Sequence, residues 1–197
     1  MPIQRVSPEL DRLLDPEQEV EELSSGYQLA EGPIWYDEGG YLLFNDVRGN
    51  RRLKWTPEAG VSEFRKPTDE ANGLTRDTYG RLIACEHGTR RVTRLEPAGD
   101  VTVVASKYKG SRLNKPNDVV VKSDGSIYFT DPNRGIPAEE LDLDFSGVYR
   151  VSADLGTLTL LVGDFIYPNG LAFSPDEKVL YVVETWGRRL RAFNVNS

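Results

Sequence analysis

The sequence predicts an all-β fold of the propeller type, and three observations carry that reading. A short polar motif recurs four times, as Glu31-Gly32-Pro33-Ile34-Trp35, Asn72-Gly73-Leu74-Thr75-Arg76, Asn117-Asp118-Val119-Val120-Val121 and Asn169-Gly170-Leu171-Ala172-Phe173. The copies stand 41, 45 and 52 residues apart, close to the roughly 40–50 residues that a four-stranded blade occupies. Each copy is followed by a turn signal and then a strand-like run. These runs are Tyr41-Leu42-Leu43-Phe44, Arg81-Leu82-Ile83-Ala84, Ser126-Ile127-Tyr128-Phe129 and Val179-Leu180-Tyr181-Val182-Val183.

Taken in order, residues 1–30 read as an N-terminal arm. Ser7-Pro8-Glu9-Leu10 has the form of a helix start, and Glu19–Leu23 is expected as a leading strand. Blades are expected over residues 31–71, 72–116 and 117–168, with a partial blade over 169–197. Third strands follow at Arg52–Trp55, Arg91–Arg94, Gly147–Arg150 and Arg189–Phe193. Outer strands are expected at Val61–Phe64, Val101–Val104 and Leu158–Val162, each after a turn rich in Gly, Asp or Pro. The third repeat is lengthened by an insertion around Ile136–Asp142, read either as a lid over the channel mouth or as a tolerated surface loop. Three and a half blades fall short of the roughly four to eight that close a ring. The sequence is therefore expected to be part of a longer chain or of a larger assembly.

Composition narrows the classes of function. The 197 residues are 39% hydrophobic and 28% charged, with a formal net charge of −7. That balance disfavours a nucleic-acid partner. No apolar run approaches the roughly 18 residues of a membrane span, and Met1–Arg5 lacks the apolar core of a signal peptide. A cytoplasmic protein without membrane attachment is expected. Cys85 is the single cysteine, so an intrachain disulfide is excluded and a buried small hydrophobe is expected there.

In a propeller the first residue of each repeat lies on the innermost strand, so Glu31, Asn72, Asn117 and Asn169 are expected to converge on the axis. A carboxylate with amide oxygens suits a hard cation such as calcium, whereas zinc favours His and Cys ligands. An isolated Asn-Gly is an ordinary turn dipeptide; its recurrence at blade spacing is what argues for a site. His87, the single histidine, is read as a substrate contact at the channel mouth or as a packed side chain. Asp131 is read as a pocket residue or as a turn-forming Asp. Arg90, Arg91, Arg188 and Arg189 are read as a solvated face or as salt-bridge partners, and Trp35, Trp55 and Trp186 as blade packing.

Glu31–Trp35, Pro116-Asn117-Asp118, Tyr128–Pro132 and Asn169–Asp176 resemble the senescence-marker-protein/gluconolactonase/luciferin-regenerating-enzyme family, in its gluconolactonase branch. Ala84-Cys85-Glu86-His87-Gly88 and Arg90–Arg94 are similar to the same branch, and the resemblance runs from about residue 10 to 197. It implies a six-bladed β-propeller and hydrolysis of a small sugar lactone. It also implies a divalent cation in the channel, usually Ca2+, with Zn2+, Mg2+ or Mn2+ as alternatives. By that resemblance Glu31 and Asn169 would be metal ligands, Asn117 would reach the metal directly, through water or through substrate, and Asp118 would be the catalytic acid/base; Asn72, His87 and Asp131 are expected as substrate contacts from their own positions in the repeat. The family's further ligand, an Asp in a Pro-Asp-Gly context, has no counterpart after Asn169. Two rival readings stand beside the enzyme: a non-catalytic propeller used for binding, and an inactive truncated relative.

Overall fold

The computed structural model describes residues 3–15 and 17–196. Among these residues it contains seventeen β-strands and three short 3-10 helices. The strands form four consecutive meander sheets and one extra hairpin. The first sheet orders β1 (Ala30–Tyr36), β2 (Tyr41–Asp46), β3 (Arg51–Thr56) and β4 (Gly60–Arg65). The second orders β5 (Ala71–Arg76), β6 (Leu82–Glu86), β7 (Arg91–Leu95) and β8 (Val101–Ala105). A two-stranded hairpin follows, β9 (Lys107–Tyr108) with β10 (Ser111–Arg112). The third sheet orders β11 (Val119–Val121), β12 (Ile127–Asp131), β13 (Ser146–Val151) and β14 (Leu158–Phe165). The fourth has three strands, β15 (Pro168–Phe173), β16 (Val179–Glu184) and β17 (Arg189–Asn194). These are blades of an all-β propeller, three with four strands and one with three among the described residues.

Hydrophobic alternation explains how the blades stack. On β6, Ile83 and Cys85 join Phe129 and Tyr149 in one buried cluster, while Leu82 and Ala84 join Leu43 and Leu74 in another. Successive side chains on a strand point to opposite faces, so the second blade is buried on both sides. The third is sandwiched in the same way: Ile127 and Phe129 face the second blade, and Tyr128 and Val148 pack against Leu171, Leu180 and Val182 of the fourth. This is why Leu82–Glu86 and Ile127–Asp131 are buried at every position. On β16 the alternation is one-sided, with Leu180, Val182 and Glu184 buried and Tyr181 and Val183 exposed. Cys85 is buried as the sequence led us to expect.

The arm departs from expectation. Ser7 caps a single 3-10 turn, Pro8–Arg12, by accepting from Glu9 N at 3.3 Å. Glu19–Leu23 is not a strand: Glu19 makes an isolated bridge and residues 20–27 carry no regular structure. A strand needs a neighbour to satisfy its backbone groups, and beyond the bridge at Glu19 none is offered along this run among the described residues. Tyr27 instead packs edge-on against Phe44 of β2, with ring centroids 5.1 Å apart. The insertion forms one 3-10 turn, Ala138–Glu140. Arg90 Nη1 donates to Glu140 O at 2.9 Å and Arg112 Nη2 to Asp142 Oδ1 at 3.2 Å, so the loop is pinned at two points. The tryptophans are not core residues: Trp35 and Trp186 are 43% and 59% exposed, and Trp186 stacks on Tyr167 at 5.4 Å. No described helix is long and apolar enough to cross a membrane.

Candidate functional site

The repeated motif sits on the innermost strand of each blade, and in three blades a β-bulge marks it. Register shifts fall between Glu31 and Ile34 on β1, Ala71 and Leu74 on β5, and Pro168 and Leu171 on β15. In each, three steps on the inner strand face two on its partner. Such an extra residue bends the strand and re-aims its side chains. In the third blade Asn117 and Asp118 continue the pairing irregularly ahead of β11, through Asn117 N to Thr130 O at 2.8 Å and Thr130 N to Asp118 O at 3.0 Å.

Glycines let these four segments approach one another. A Cβ on Gly32, whose φ is +58°, would lie 2.1 Å from Asn72 O. One on Gly73 would lie 2.7 Å from Asn117 O and 2.6 Å from Asp118 Oδ1. Hydrogen bonds lace the same line: Asn45 Nδ2 donates to Asn72 O at 2.6 Å, and Gly73 N to Asn117 O at 2.8 Å. Thr130 Oγ1 donates to Asn169 O at 2.8 Å, and Leu171 N to Asp118 Oδ2 at 3.2 Å. The structure therefore brings the motifs of Glu31, Asn72, Asn117 and Asn169 into one sequence of contacts, blade to blade.

Electrostatics ties the first blade to the third and fourth. Burial raises the Asp118 carboxyl above its ordinary range, hydrogen bonds from Val119 and Leu171 N–H oppose this, and the Glu31 charge adds to the rise. Burial and the same Glu31 charge raise the Tyr167 phenol. Asn72 Nδ2 lies 3.4 Å from His87 Nε2. Burial, and then the Lys115 charge, push His87 down to about 4, so its imidazole is neutral at pH 7 and Nε2 can accept from the amide.

Asp131 differs from the pocket residue that the sequence suggested. It is 0% exposed, and its Oδ2 accepts from Asn114 N at 2.8 Å. Burial pushes its carboxyl up to about 7, against the lowering effect of the Asn114 N–H and the Arg90 charge. Its surroundings reveal a set of residues that the sequence reading missed. The second strand of every blade ends in a buried acid: Asp46, Glu86, Asp131 and Glu184. Three of them pair across the hairpin with the arginine five residues on: Arg51 at 3.1 Å from Asp46, Arg91 at 2.6 Å from Glu86, and Arg189 beside Glu184. In the third blade the insertion places Gly147 opposite Asp131 instead. The signal was present as an acid-x4-Arg spacing at three of the four hairpins.

Three of these acids hold the chain that leads into the site. Asp46 Oδ1 accepts from Gln28 N at 3.1 Å, Asp131 Oδ2 from Asn114 N, and Glu184 Oε1 from Ile166 N at 2.7 Å. Each donor lies three residues before Glu31, Asn117 or Asn169. A carboxylate with backbone N–H donors and an arginine makes strong, directional hydrogen bonds, which fixes where the next side chains emerge.

The side chains of Glu31, Asn117 and Asn169 receive no hydrogen bond from other described residues, although Asn117 is only 5% exposed. Their oxygens, one carboxylate and two amides, form the donor set of a hard cation and thus fit one. No group of three or more His, Cys, Asp or Glu among the described residues is arranged to hold a metal, so a cation here would depend on the amide oxygens.

Comparison with known proteins places this geometry in context. The family described as SMP-30/Gluconolactonase/LRE-like region matches residues 29–197. A gluconolactonase of Zymomonas mobilis is 38% identical over 198 residues, covering 91% of this chain and 55% of that protein. The solved gluconolactonase XC5397 of Xanthomonas campestris is 36% identical with a TM-score of 0.81, covering 89% of this chain and 61% of that one. A calcium-binding regucalcin of Agrobacterium tumefaciens, 19% identical with a TM-score of 0.68, shares the fold over 88% of this chain and 57% of its own. The chain thus spans a little over half the length of the curated relative it matches.

Proposed function

The chain belongs to the SMP-30/gluconolactonase/LRE-like family, and on that premise we propose that it carries part of the catalytic channel of a divalent-cation-dependent sugar-lactone hydrolase. The observation that supports this most is the close approach of the motif segments that carry Glu31, Asn117 and Asn169, from three blades, with the Asp118 carboxyl among them raised by burial and by the Glu31 charge. Glu31, Asn117 and Asn169 would hold the cation, with Ca2+ the first choice among Ca2+, Zn2+, Mg2+ and Mn2+. When bound, such a cation supplies Lewis-acid polarisation of the lactone carbonyl.

The remaining chemistry falls to side chains. Asp118 commits Oδ2 to Leu171 N–H, which fixes the carboxylate plane and leaves Oδ1 to take a proton from the attacking water. Its raised proton affinity makes it a stronger base than an ordinary carboxylate. Asn72 and the neutral His87 offer uncharged hydrogen-bonding groups to sugar hydroxyls without adding charge near Glu31. The reading carries with it a cytoplasmic, reducing setting, consistent with a lone, buried Cys85.

The test joins binding to chemistry. Calcium titration should raise the thermal midpoint, by an amount corresponding to about 2.7 kcal/mol at a hundredfold excess over Kd. Glu31→Gln should abolish the shift. Proton release from glucono-δ-lactone should require the cation and fall at least about 100-fold in Glu31→Gln, since a cation site that loses its carboxylate loses affinity for a hard ion. A midpoint indifferent to every divalent cation, or a hydrolysis rate indifferent to Glu31, would overturn the proposal.

A further inference from the structure

Among the described residues, four buried side-chain atoms have no hydrogen-bond partner: Asp131 Oδ1, Asn114 Oδ1, Tyr149 Oη and Arg90 Nη2. They belong to one cluster. Arg90 Nε donates to Leu113 O at 2.7 Å and to Asn114 O at 2.9 Å. Asn114 N donates to Asp131 Oδ2, and Asn114 Nδ2 donates to Phe145 O at 2.9 Å. Asp131 feels the Arg90 charge, and Tyr149 feels that of Asp131. Leaving a buried polar atom unsatisfied is costly, and four in one place is far from the scattered exceptions of native proteins.

The repeat explains how the cluster arose. Asp46, Glu86 and Glu184 each satisfy the second carboxylate oxygen with the arginine of their own hairpin. Asp131 has Gly147 at that register position, and a side chain there is barred, because a Cβ would lie 2.4 Å from the Tyr149 ring. Arg90 comes instead from the neighbouring blade and spends its Nε and Nη1 on backbone carbonyls. A water molecule matches the four free atoms. It can donate to Asp131 Oδ1 and Asn114 Oδ1 and accept from Arg90 Nη2 and Tyr149 Oη, within the two to four bonds that buried waters make. The arginine argues against a metal ion in the same place.

We propose that Asp131, Asn114, Tyr149 and Arg90 enclose an internal water that stands in for the missing hairpin arginine, and that this brace is a positioning device for Asn117 and Asp118. The segment from Leu113 to Asp118 is gripped by Arg90 at its start and by Asp131 at Asn114, and it delivers two side chains to the candidate site three and four residues later. The functional side of the proposal rests on the reading of Asn117 and Asp118 given above; the water and the brace do not.

Two measurements on the chain test it, neither of them using activity, so failure here is distinct from failure of the lactonase reading. A crystal structure at about 1.5 Å or better should show an ordered water within hydrogen-bond distance of Asp131 Oδ1 and Asn114 Oδ1. Direct closure of those groups on one another, or an empty cavity, would overturn the water. Amide hydrogen exchange should then be compared between the wild type, Asp131→Asn and Tyr149→Phe. Asp131→Asn should speed exchange at Asn114, Lys115, Asn117 and Asp118 roughly tenfold or more, leaving the β16 amides unchanged, as local opening does. Tyr149→Phe, which keeps the ring and removes one water partner, should do the same more weakly. Exchange that is unaltered in that segment, or that rises evenly along the chain, would overturn the positioning role.

Discussion

Gly73 and Gly170 occupy matching places in the repeat and are not equivalent. A Cβ on Gly73 would meet Asn117 O and Asp118 Cα, both at 2.7 Å. These are backbone atoms held by the blade-to-blade hydrogen bond from Gly73 N, and they have nowhere to go. On Gly170 the only approach is Asp118 Oδ2 at 3.6 Å, an ordinary contact. We expect Gly73→Ala to cost about 2–4 kcal/mol through overpacking. Gly170→Ala should stay within about 1 kcal/mol, helped by the lower entropy of its unfolded chain. Urea unfolding of the two variants checks this, and equal costs would contradict the geometry. The Asn-Gly and Glu-Gly pairs were visible in the sequence as a repeat. Their tightness was not, because it depends on which backbone atoms the neighbouring blade presents.

At the scale of elements, the first and second blades are each fastened to the next by a hairpin residue in the left-handed region. Asn50, Arg90 and Arg188 have φ of 53°, 55° and 49° and precede the arginines that open the third strands. Asn50 Oδ1 accepts from Thr68 N and Glu70 N, both at 3.0 Å, and so caps the segment leading to Asn72. Arg90 grips Leu113 and Asn114 in the same way. Asn50→Gly keeps the backbone freedom and deletes the clasp; we expect it to cost about 1–3 kcal/mol for two N–H groups left without their acceptor. Arg188→Gly should be neutral or slightly stabilising, since it relieves a left-handed residue whose side chain clasps no later segment among the described residues. Chemical unfolding midpoints separate the two. Strand positions were legible because alternation and turn residues are local. The clasps and buried acids were not read from the sequence, although the acid-x4-Arg spacing stood in it at three hairpins. The surroundings of Asp131 were not legible because they are built by Asn114 and by the charge of Arg90 from the neighbouring blade, nor was the loss of a strand at Glu19–Leu23, because a strand-like composition cannot supply a partner strand.

At the scale of the molecule, the chain is a row of blades in which each packs on its sequence neighbours. Three buried clusters fill the three junctions, and Phe129 and Tyr149, stacked at 5.2 Å, sit in the one between the second and third blades. The middle blades are covered on both faces, whereas β16 leaves Tyr181 and Val183 exposed. In such an array stability is close to a sum of unit and junction terms, so protection should follow position along the row. Amides of β6 and β12 are expected to exchange slowest, those of β15–β17 faster, and those of residues 3–29 fastest. Phe129→Ala removes a fully buried ring and should cost about 3–5 kcal/mol. The loss should appear as faster exchange in the second and third blades together, because the ring belongs to their shared junction, with a smaller change in the first. Hydrogen exchange with residue resolution reads this directly. Uniform protection across all four blades, falling uniformly in Phe129→Ala, would show instead that the junctions are coupled tightly enough for the row to open as one unit.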